Sequence, residues 1–258
     1  MSDQELSEAE CLLTLPRGAY PFESRYAPIG DARLHYVDEG DGPAILMVHG
    51  NPTWSILYRG LIEGLRGQYR CVAVDLAGFG LSAPAAGFSF KPEDQARLVA
   101  GLVGRLDLRD ATLLAHDWGG PIGRFGSERY LAFVNLLMPS AMRRRKLSAQ
   151  ELDLYRAPFR ELQSRRPMHV FPREITASRD YLARLEGFVA GFRGPAFFVW
   201  PENDVAFRDK ELTRWKGLLP QAEVRRLANC GHFLWIDAPE DCLTAVRTFM
   251  ESARAGRV

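Results

Sequence analysis

The stretch of sequence that decides the fold is Leu113–Gly120, which reads LLAHDWGG. An apolar segment runs into a turn in which two small residues, Ala115 and Gly119, flank the central Asp117. This pattern is typical of a nucleophile elbow, the sharp strand-to-helix turn that lifts one side chain above a parallel sheet. An aspartate at this position attacks saturated carbon and forms an alkyl ester. Asp117 therefore argues against an esterase, lipase or peptidase and favours carbon–halogen or epoxide chemistry.

Apolar runs and amphipathic segments alternate on both sides of this turn. The predicted strands are residues 32–38, 44–48, 69–74, 111–115, 195–200 and 223–227. The predicted helices outside residues 139–190 are residues 56–65, 92–106, 210–219 and 240–252. Strands that alternate with helices predict an α/β fold with a doubly wound, mostly parallel sheet.

Residues 139–190 interrupt this alternation. They are rich in Arg and Pro, carry helical patches at 149–155 and 178–185, and show no clear strand. They are predicted to form a shortened helical cap over the C-terminal edge of the sheet, where such folds bind ligands. The predicted division is a core of residues 1–130 and 191–258 and a cap of residues 131–190, with the boundary near 119–146 left open.

The composition narrows the classes of function. The 258 residues are 47% apolar with a net charge of +1, which gives no reason to expect nucleic acid as a partner. No apolar run is long enough to span a membrane, and the polar N-terminus does not resemble a signal peptide. The basic run Arg143–Lys146 is expected to be a solvated face. The four cysteines lack C-x-x-C spacing and are expected to be free thiols in a cytoplasmic protein, Cys11, Cys71, Cys230 and Cys242. The oligomeric state is not predicted.

Three further segments carry candidate site residues. The segment His49-Gly50-Asn51-Pro52 follows an apolar strand, where this architecture places the second oxyanion-hole amide. His232 follows the last strand, as the general base does when the chain order is nucleophile, acid, base. Asp204 also follows a strand and is the candidate acid, with Glu202 as its rival. The alternatives are that Asp117 only caps a helix and that His232 is an exposed loop residue.

Together these motifs resemble the haloalkane dehalogenases of the α/β-hydrolase fold. The resemblance covers roughly residues 20–255. The segments that carry it are 49–55 (HGNPTWS), 75–82 (DLAGFGLS), 116–120 (HDWGG), 155–159 (YRAPF), 171–175 (FPREI) and 230–233 (CGHF).

The resemblance implies hydrolysis of a small apolar haloalkane to an alcohol, a halide and a proton. Asp117 is the implied nucleophile, and His232, oriented by Asp204, is the implied base that activates water. Asn51 and Trp118 are implied to donate hydrogen bonds to the leaving halide and to stabilise the oxyanion. The implied chemistry needs no metal and no organic cofactor.

Asn51 and Trp118 favour this family over related ones. Epoxide hydrolases generally carry an aromatic residue at the position of Asn51 and use cap tyrosines, for which Tyr155 and Tyr181 are available. Fluoroacetate dehalogenases usually carry Arg at the position of Trp118. Epoxide hydrolysis, a truncated variant without catalysis and a cofactor-free oxygenase are the alternatives.

The chain departs from the family pattern after the elbow, where an apparent deletion shortens the spacing from Asp117 to Asp204 by several tens of residues. In one alternative, residues 119–130 form a short helix and residues 131–138 the following central strand. In the other, which we favour, residues 133–139 already belong to the cap. The second alternative removes a strand from the middle of the sheet and leaves neighbouring backbone groups without partners.

Overall fold

The computed structural model describes Leu15 and residues 18–117, 138–159 and 163–255. Its strands are β1 (Arg25–Ile29), β2 (Ala32–Glu39), β3 (Ala44–Val48), β4 (Arg70–Val74), β5 (Thr112–Ala115), β6 (Phe197–Pro201) and β7 (Glu223–Leu227). Its longer helices are α1 (Arg59–Leu65), α2 (Pro92–Arg105), α3 (Ala149–Arg156), α4 (Arg166–Ala177), α5 (Arg179–Gly191), α6 (Asp209–Leu218), α7 (Leu234–Asp237) and α8 (Pro239–Ala255). Short helical turns are Met138–Ser140 and the 3-10 segments Ser55–Tyr58, Ala157–Phe159 and Gln163–Arg165.

Five strands form a mixed sheet in the order β1-β2-β4-β3-β5. Strand β3 is parallel to both β4 and β5, whereas β2 is antiparallel to β1 and β4. Strands β6 and β7 form a separate parallel pair. The predicted α/β arrangement is confirmed as a mixed sheet, in which β2 runs antiparallel to both of its neighbours. Strand β1 was not predicted, and its sequence carries Pro28, which an edge strand tolerates.

The neighbouring parallel strands β3 and β4 are apolar and mostly buried, as strands covered on both faces are. Ile45 and Met47 of β3 and Cys71 and Ala73 of β4 are fully buried and share one core with α1 and α8. The three described cysteines are free thiols, as predicted, whereas Cys11 lies outside the described residues. Across the ranges that the structure describes, no helix is both long and apolar enough to cross a bilayer.

The predicted shortening of the chain falls directly after the elbow that follows β5. Within the described ranges, β5 pairs only with β3 and β6 pairs only with β7, and Leu113 is 65% exposed. Met138, where one alternative ends its strand, instead begins a helical turn. The predicted helix at 119–130, and both alternatives up to residue 137, lie outside the described residues.

The cap consists of helices in its described part, as its sequence pattern predicts. Helix α3 begins with a capping box between Ser148 and Glu151. Helix α4 was not predicted because Pro167 and Pro172 suggested breaks in this segment, and α5 runs six residues past the predicted end at Leu185. The division of the chain at residues 130 and 190 stays a prediction.

The cap packs over the loops that follow β3 and β4. The indole Nε1 of Trp54 donates to the Leu154 carbonyl at 3.1 Å. The ring of Phe79 packs edge-on against Phe159 and Phe171, with centroid distances of 5.9 and 5.3 Å. The cap therefore packs directly on the loops around the candidate site.

A buried carboxylate ties the start of the cap to the loop before α7. Asp237 is 3% exposed and accepts four backbone N–H bonds. Three consecutive donors, Arg143, Arg144 and Arg145, form a small anion-binding nest at 2.9, 2.8 and 3.2 Å. Gly231 supplies the fourth bond at 2.8 Å. The side chains of the basic run Arg143–Lys146 are largely exposed, as predicted. Its backbone N–H groups hold the cap against the loop of His232.

Gly231 marks the tightest contact of this junction. A Cβ atom at this position would lie 1.8 Å from the Ala141 carbonyl oxygen, which also accepts the N–H of His232 at 3.0 Å. Only glycine allows the two backbone segments to come this close.

We expect Gly231→Ala to lower the free energy of unfolding by about 1–3 kcal/mol, because the added methyl group pushes two backbone segments apart. Thermal and urea unfolding measure this change. The matched control is Gly217→Ala in α6, an exposed glycine where an added methyl group would have no atom within 4 Å, which should raise stability by about 0.5–1 kcal/mol. Equal unfolding free energies of Gly231→Ala and the wild type would contradict the close backbone contact at Gly231.

Candidate active site

The elbow has the backbone geometry that its sequence predicts. Asp117 follows β5 with a φ of 41°, a left-handed conformation that costs a non-glycine residue of order 1–3 kcal/mol. The loop after β3 presses against it, since a Cβ on Gly50 would lie 2.7 Å from the Asp117 carbonyl carbon and from its oxygen. The segments that follow β5 and β3 are thereby in backbone contact. The first carries the candidate nucleophile, and the second is the candidate oxyanion loop.

The loop of Gly50 is held by hydrogen bonds to a single carbonyl oxygen. The Gly50 oxygen accepts His49 Nδ1 at 2.9 Å, the Thr53 N–H at 3.0 Å and the Thr53 hydroxyl at 2.9 Å. The Leu76 N–H donates to His49 Nε2, so the imidazole is the neutral Nδ1–H tautomer. Burial lowers the pKa of His49, which agrees with this neutral state. His49 is a structural residue under the site.

Asn51 is the candidate halide donor in this loop. Its side-chain Oδ1 is buried, and in the described portion of the chain it has no hydrogen-bond partner. A buried amide oxygen without a partner is costly unless a hydrogen-bond donor, such as a water molecule, engages it. The unpartnered Oδ1 therefore indicates a polar environment at Asn51, whereas a halide would need the Nδ2–H group of the same amide.

Asp75, in the loop after β4, is hydrogen-bonded to the segment that follows Asn51. The fully buried Asp75 accepts the Ser55 N–H at 2.7 Å and the Leu81 N–H at 2.9 Å, and its Oδ2 lies 2.8 Å from His35 Nδ1. Burial acts to raise the pKa of Asp75, but the adjacent His35 and the N–H bond hold it below the ordinary value. Gly80 has a φ of 53°, and a Cβ there would meet the Asp75 carboxylate.

The structure brings His232 and Asp204 together. His232 Nδ1 lies 2.9 Å from Asp204 Oδ2, and the two side chains are 6% and 4% exposed. The other oxygen of Asp204 accepts the backbone N–H groups of Ala206 and Phe207. The rival acid Glu202 is exposed, and its N–H donates to a β7 carbonyl. Because Asp204 can only accept, Nδ1 of His232 carries a hydrogen and Nε2 is left to act as a base.

Electrostatics connect this pair to Asp117. Burial lowers the pKa of His232, but the Asp204 hydrogen bond and the charges of Asp117 and Asp204 outweigh it, so the pKa lies above its ordinary value. Burial raises the pKa of Asp204, but the bond to His232 holds it below its ordinary value. The imidazole is therefore a base flanked by two carboxylates.

Tyr58 is a residue near the site that sequence reasoning missed. Its hydroxyl donates to the Val48 carbonyl at 2.8 Å, which also accepts the N–H of His116 at 3.2 Å. Burial, and then the charge of Asp117, raise the pKa of Tyr58 well above its ordinary value. The apolar pattern of its helix indicated only core packing. Trp118, the second candidate halide donor, lies outside the described residues.

Comparison with known proteins places this chain in a family. The model of the α/β hydrolase family matches residues 45–245. Haloalkane dehalogenase 2 of Mycobacterium bovis is 35% identical over 271 aligned positions, which cover 88% of this chain and 94% of that protein. A cis-3-alkyl-4-alkyloxetan-2-one decarboxylase of Shewanella oneidensis is 26% identical, and the alignment covers 89% of each chain. The crystal structure of haloalkane dehalogenase DbeA from Bradyrhizobium elkani has the same fold, with a TM-score of 0.82, 22% identity and coverage of 91% of this chain and 99% of that one.

The chain belongs to the α/β hydrolase family and, within it, to the haloalkane dehalogenases. The predicted resemblance and the prediction of an enzyme of this class are confirmed. The alignment with the Mycobacterium bovis relative has more positions, 271, than this chain has residues, 258. Segments of that relative therefore have no counterpart here, and the place of the shortening between Asp117 and Asp204 stays a prediction.

We expect Asp117→Asn to lower the pKa of His232, because it removes a negative charge that favours the imidazolium. The imidazole carbon-bound proton resonance, followed by NMR between about pH 5 and 9, measures this pKa. Asp209→Asn is the matched control, since the Asp209 side chain is 74% exposed and pairs with Arg226 of β7. An unchanged His232 pKa in Asp117→Asn would show that the two groups are not coupled.

Proposed function

We propose that the protein hydrolyses small apolar haloalkanes through a covalent alkyl ester of Asp117. The observation that carries this proposal is the buried pair of His232 and Asp204, electrostatically coupled to an aspartate in a strained elbow. Displacement of halide by a carboxylate needs no base, since the carboxylate has no proton to lose. A base is needed only if water must later attack an ester.

In the first step, a carboxylate oxygen of Asp117 attacks the carbon that bears the halogen. The new C–O bond forms as the carbon–halogen bond breaks, and the electron pair leaves with the halide. Asn51 and Trp118 are the proposed donors to this halide through their side-chain N–H groups. For Asn51, this role needs the Nδ2–H group of the side chain to face the halide.

In the second step, His232 removes a proton from water, and the hydroxide attacks the ester carbonyl of Asp117. Collapse of the tetrahedral intermediate releases the alcohol and restores the carboxylate, and His232 passes its proton to solvent. Alkylation has meanwhile neutralised Asp117 and removed one of the charges that raise the pKa of His232. The base thus becomes easier to deprotonate at the stage when it must be neutral.

The contacts of the cap tyrosines make epoxide hydrolysis the weaker alternative. That reaction needs a hydroxyl that protonates the epoxide oxygen. The Tyr155 hydroxyl accepts a hydrogen bond from Arg59 at 3.2 Å within a fully buried setting, and the guanidinium of Arg184 covers the ring of Tyr181 at 5.9 Å. The Tyr155 hydroxyl thus joins the cap to Arg59 of the core, whereas the ring of Tyr181 packs against its own helix α5.

Purified protein should release halide from 1,2-dibromoethane or 1-bromobutane, and Asp117→Ala should lose at least about 10³-fold in rate. In a single turnover in ¹⁸O-water, the heavy oxygen should enter the Asp117 carboxylate, read by mass spectrometry of the peptide. The first alcohol formed should carry ordinary oxygen. Direct attack of water on the substrate would instead put the heavy oxygen into the alcohol.

Three further measurements separate the alternatives for this assay. His232→Phe should release one halide per site and accumulate the ester, because the second step alone requires the base. Turnover of styrene oxide without halide release would favour an epoxide hydrolase. A low or non-cooperative thermal transition together with no turnover would favour a truncated variant without catalysis.

The rate should fall as the pH decreases, because a protonated His232 cannot accept a proton from water. In the alkyl-enzyme this acid limb should lie at lower pH than the His232 pKa of the free enzyme, since the Asp117 charge has been neutralised. Comparing the pH profile of ester hydrolysis with the NMR titration of the free enzyme tests this order. An acid limb at or above the free-enzyme pKa would contradict it.

A further inference from the structure

His116 forms a direct link between the nucleophile segment and the base. It immediately precedes Asp117, is 8% exposed, and its Nε2 lies 3.0 Å from the carbonyl oxygen of His232. A carbonyl oxygen can only accept, so Nε2 carries the hydrogen and donates it. Nδ1 is then an unprotonated, buried nitrogen, which has no hydrogen-bond partner among the described residues.

The surroundings keep this imidazole neutral. Burial, and then the charge of His232, lower the pKa of His116 to about 3. The two imidazole rings pack at a centroid distance of 5.2 Å, and the Trp235 ring lies 6.3 Å from His116 on another side. A neutral donor can hold the backbone of His232 without placing a second positive charge beside the base.

This link joins two loops that follow different strands. The base loop follows β7, whereas the elbow follows β5. Among the described strands, β5 and β7 belong to separate sheets, and no described strand pairing joins them. The side-chain bond from His116 to His232 is therefore a direct contact between the two loops.

We propose that His116 is a positioning residue, whose Nε2–H fixes the backbone of His232 and thereby the distance from the base to the ester at Asp117. This role rests on the proposed function. It makes a prediction that a purely structural role does not make, because the base acts only in ester hydrolysis. Loss of the donor should slow that step and leave halide displacement nearly unchanged.

The matched variants are His116→Gln and His116→Met, which have similar unbranched side chains but differ in the N–H donor. Rapid-quench experiments with 1-bromobutane follow the halide burst, and mass spectrometry follows the butyl ester on the Asp117 peptide. We expect His116→Met to alkylate within about twofold of the wild-type rate and to hydrolyse the ester about 10- to 100-fold more slowly. His116→Gln should restore most of the hydrolysis rate, and thermal unfolding should show that both variants fold.

Several outcomes would overturn the proposal. Ester hydrolysis at the wild-type rate in His116→Met, equal losses in both variants, or parallel losses in both steps would each exclude positioning through the donor. A wild-type enzyme that forms no ester overturns the proposed function and, with it, this role. If His116→Met does not fold, ¹⁵N NMR of the wild type decides the geometry, since an Nδ1–H tautomer of His116 could not donate to the carbonyl.

Discussion

The arrangement of this site depends on one constraint, an aspartate held in the left-handed region at the end of β5. The positive φ of Asp117 turns the chain so sharply that its backbone meets the loop after β3, where only glycine fits at position 50. That loop rests in turn on the buried carboxylate of Asp75 through the Ser55 N–H. The strain at one residue is thus balanced by a set of buried hydrogen bonds spread over three loops, which is how a folded core keeps an unfavourable backbone conformation.

The second organising feature is the sharing of one imidazole between two carboxylates. Asp204 fixes the tautomer of His232 by a hydrogen bond, whereas the charge of Asp117 raises the pKa of the same imidazole. These two influences differ in kind, because a covalent change at Asp117 cancels the second and leaves the first intact. In the proposed reaction, the strength of the base therefore follows the progress of catalysis without any movement of the protein.

Much of the fold and of the candidate site could be predicted from the sequence, for a physical reason. The elbow and Asp204 each follow an apolar strand, and His232 follows the predicted strand β7, so local patterns indicate both the strand and the polar residue after it. Strand β1 and helix α4 were missed because prolines within them suggest breaks. The ties made by Asp237 and His116 could not be predicted, because their partners are backbone groups about ninety or more residues away along the chain, which carry no residue-specific signal. The role of Trp118 stays a prediction.

The carboxylate of Asp237 also links the cap to the position of the base. It accepts the backbone N–H groups of Arg143, Arg144 and Arg145 and that of Gly231, which immediately precedes His232. One buried side chain is thus a common anchor for a segment of the cap and for the base loop. A change in the cap at this anchor would therefore be passed on to the imidazole, so cap placement and base placement are coupled variables in this fold.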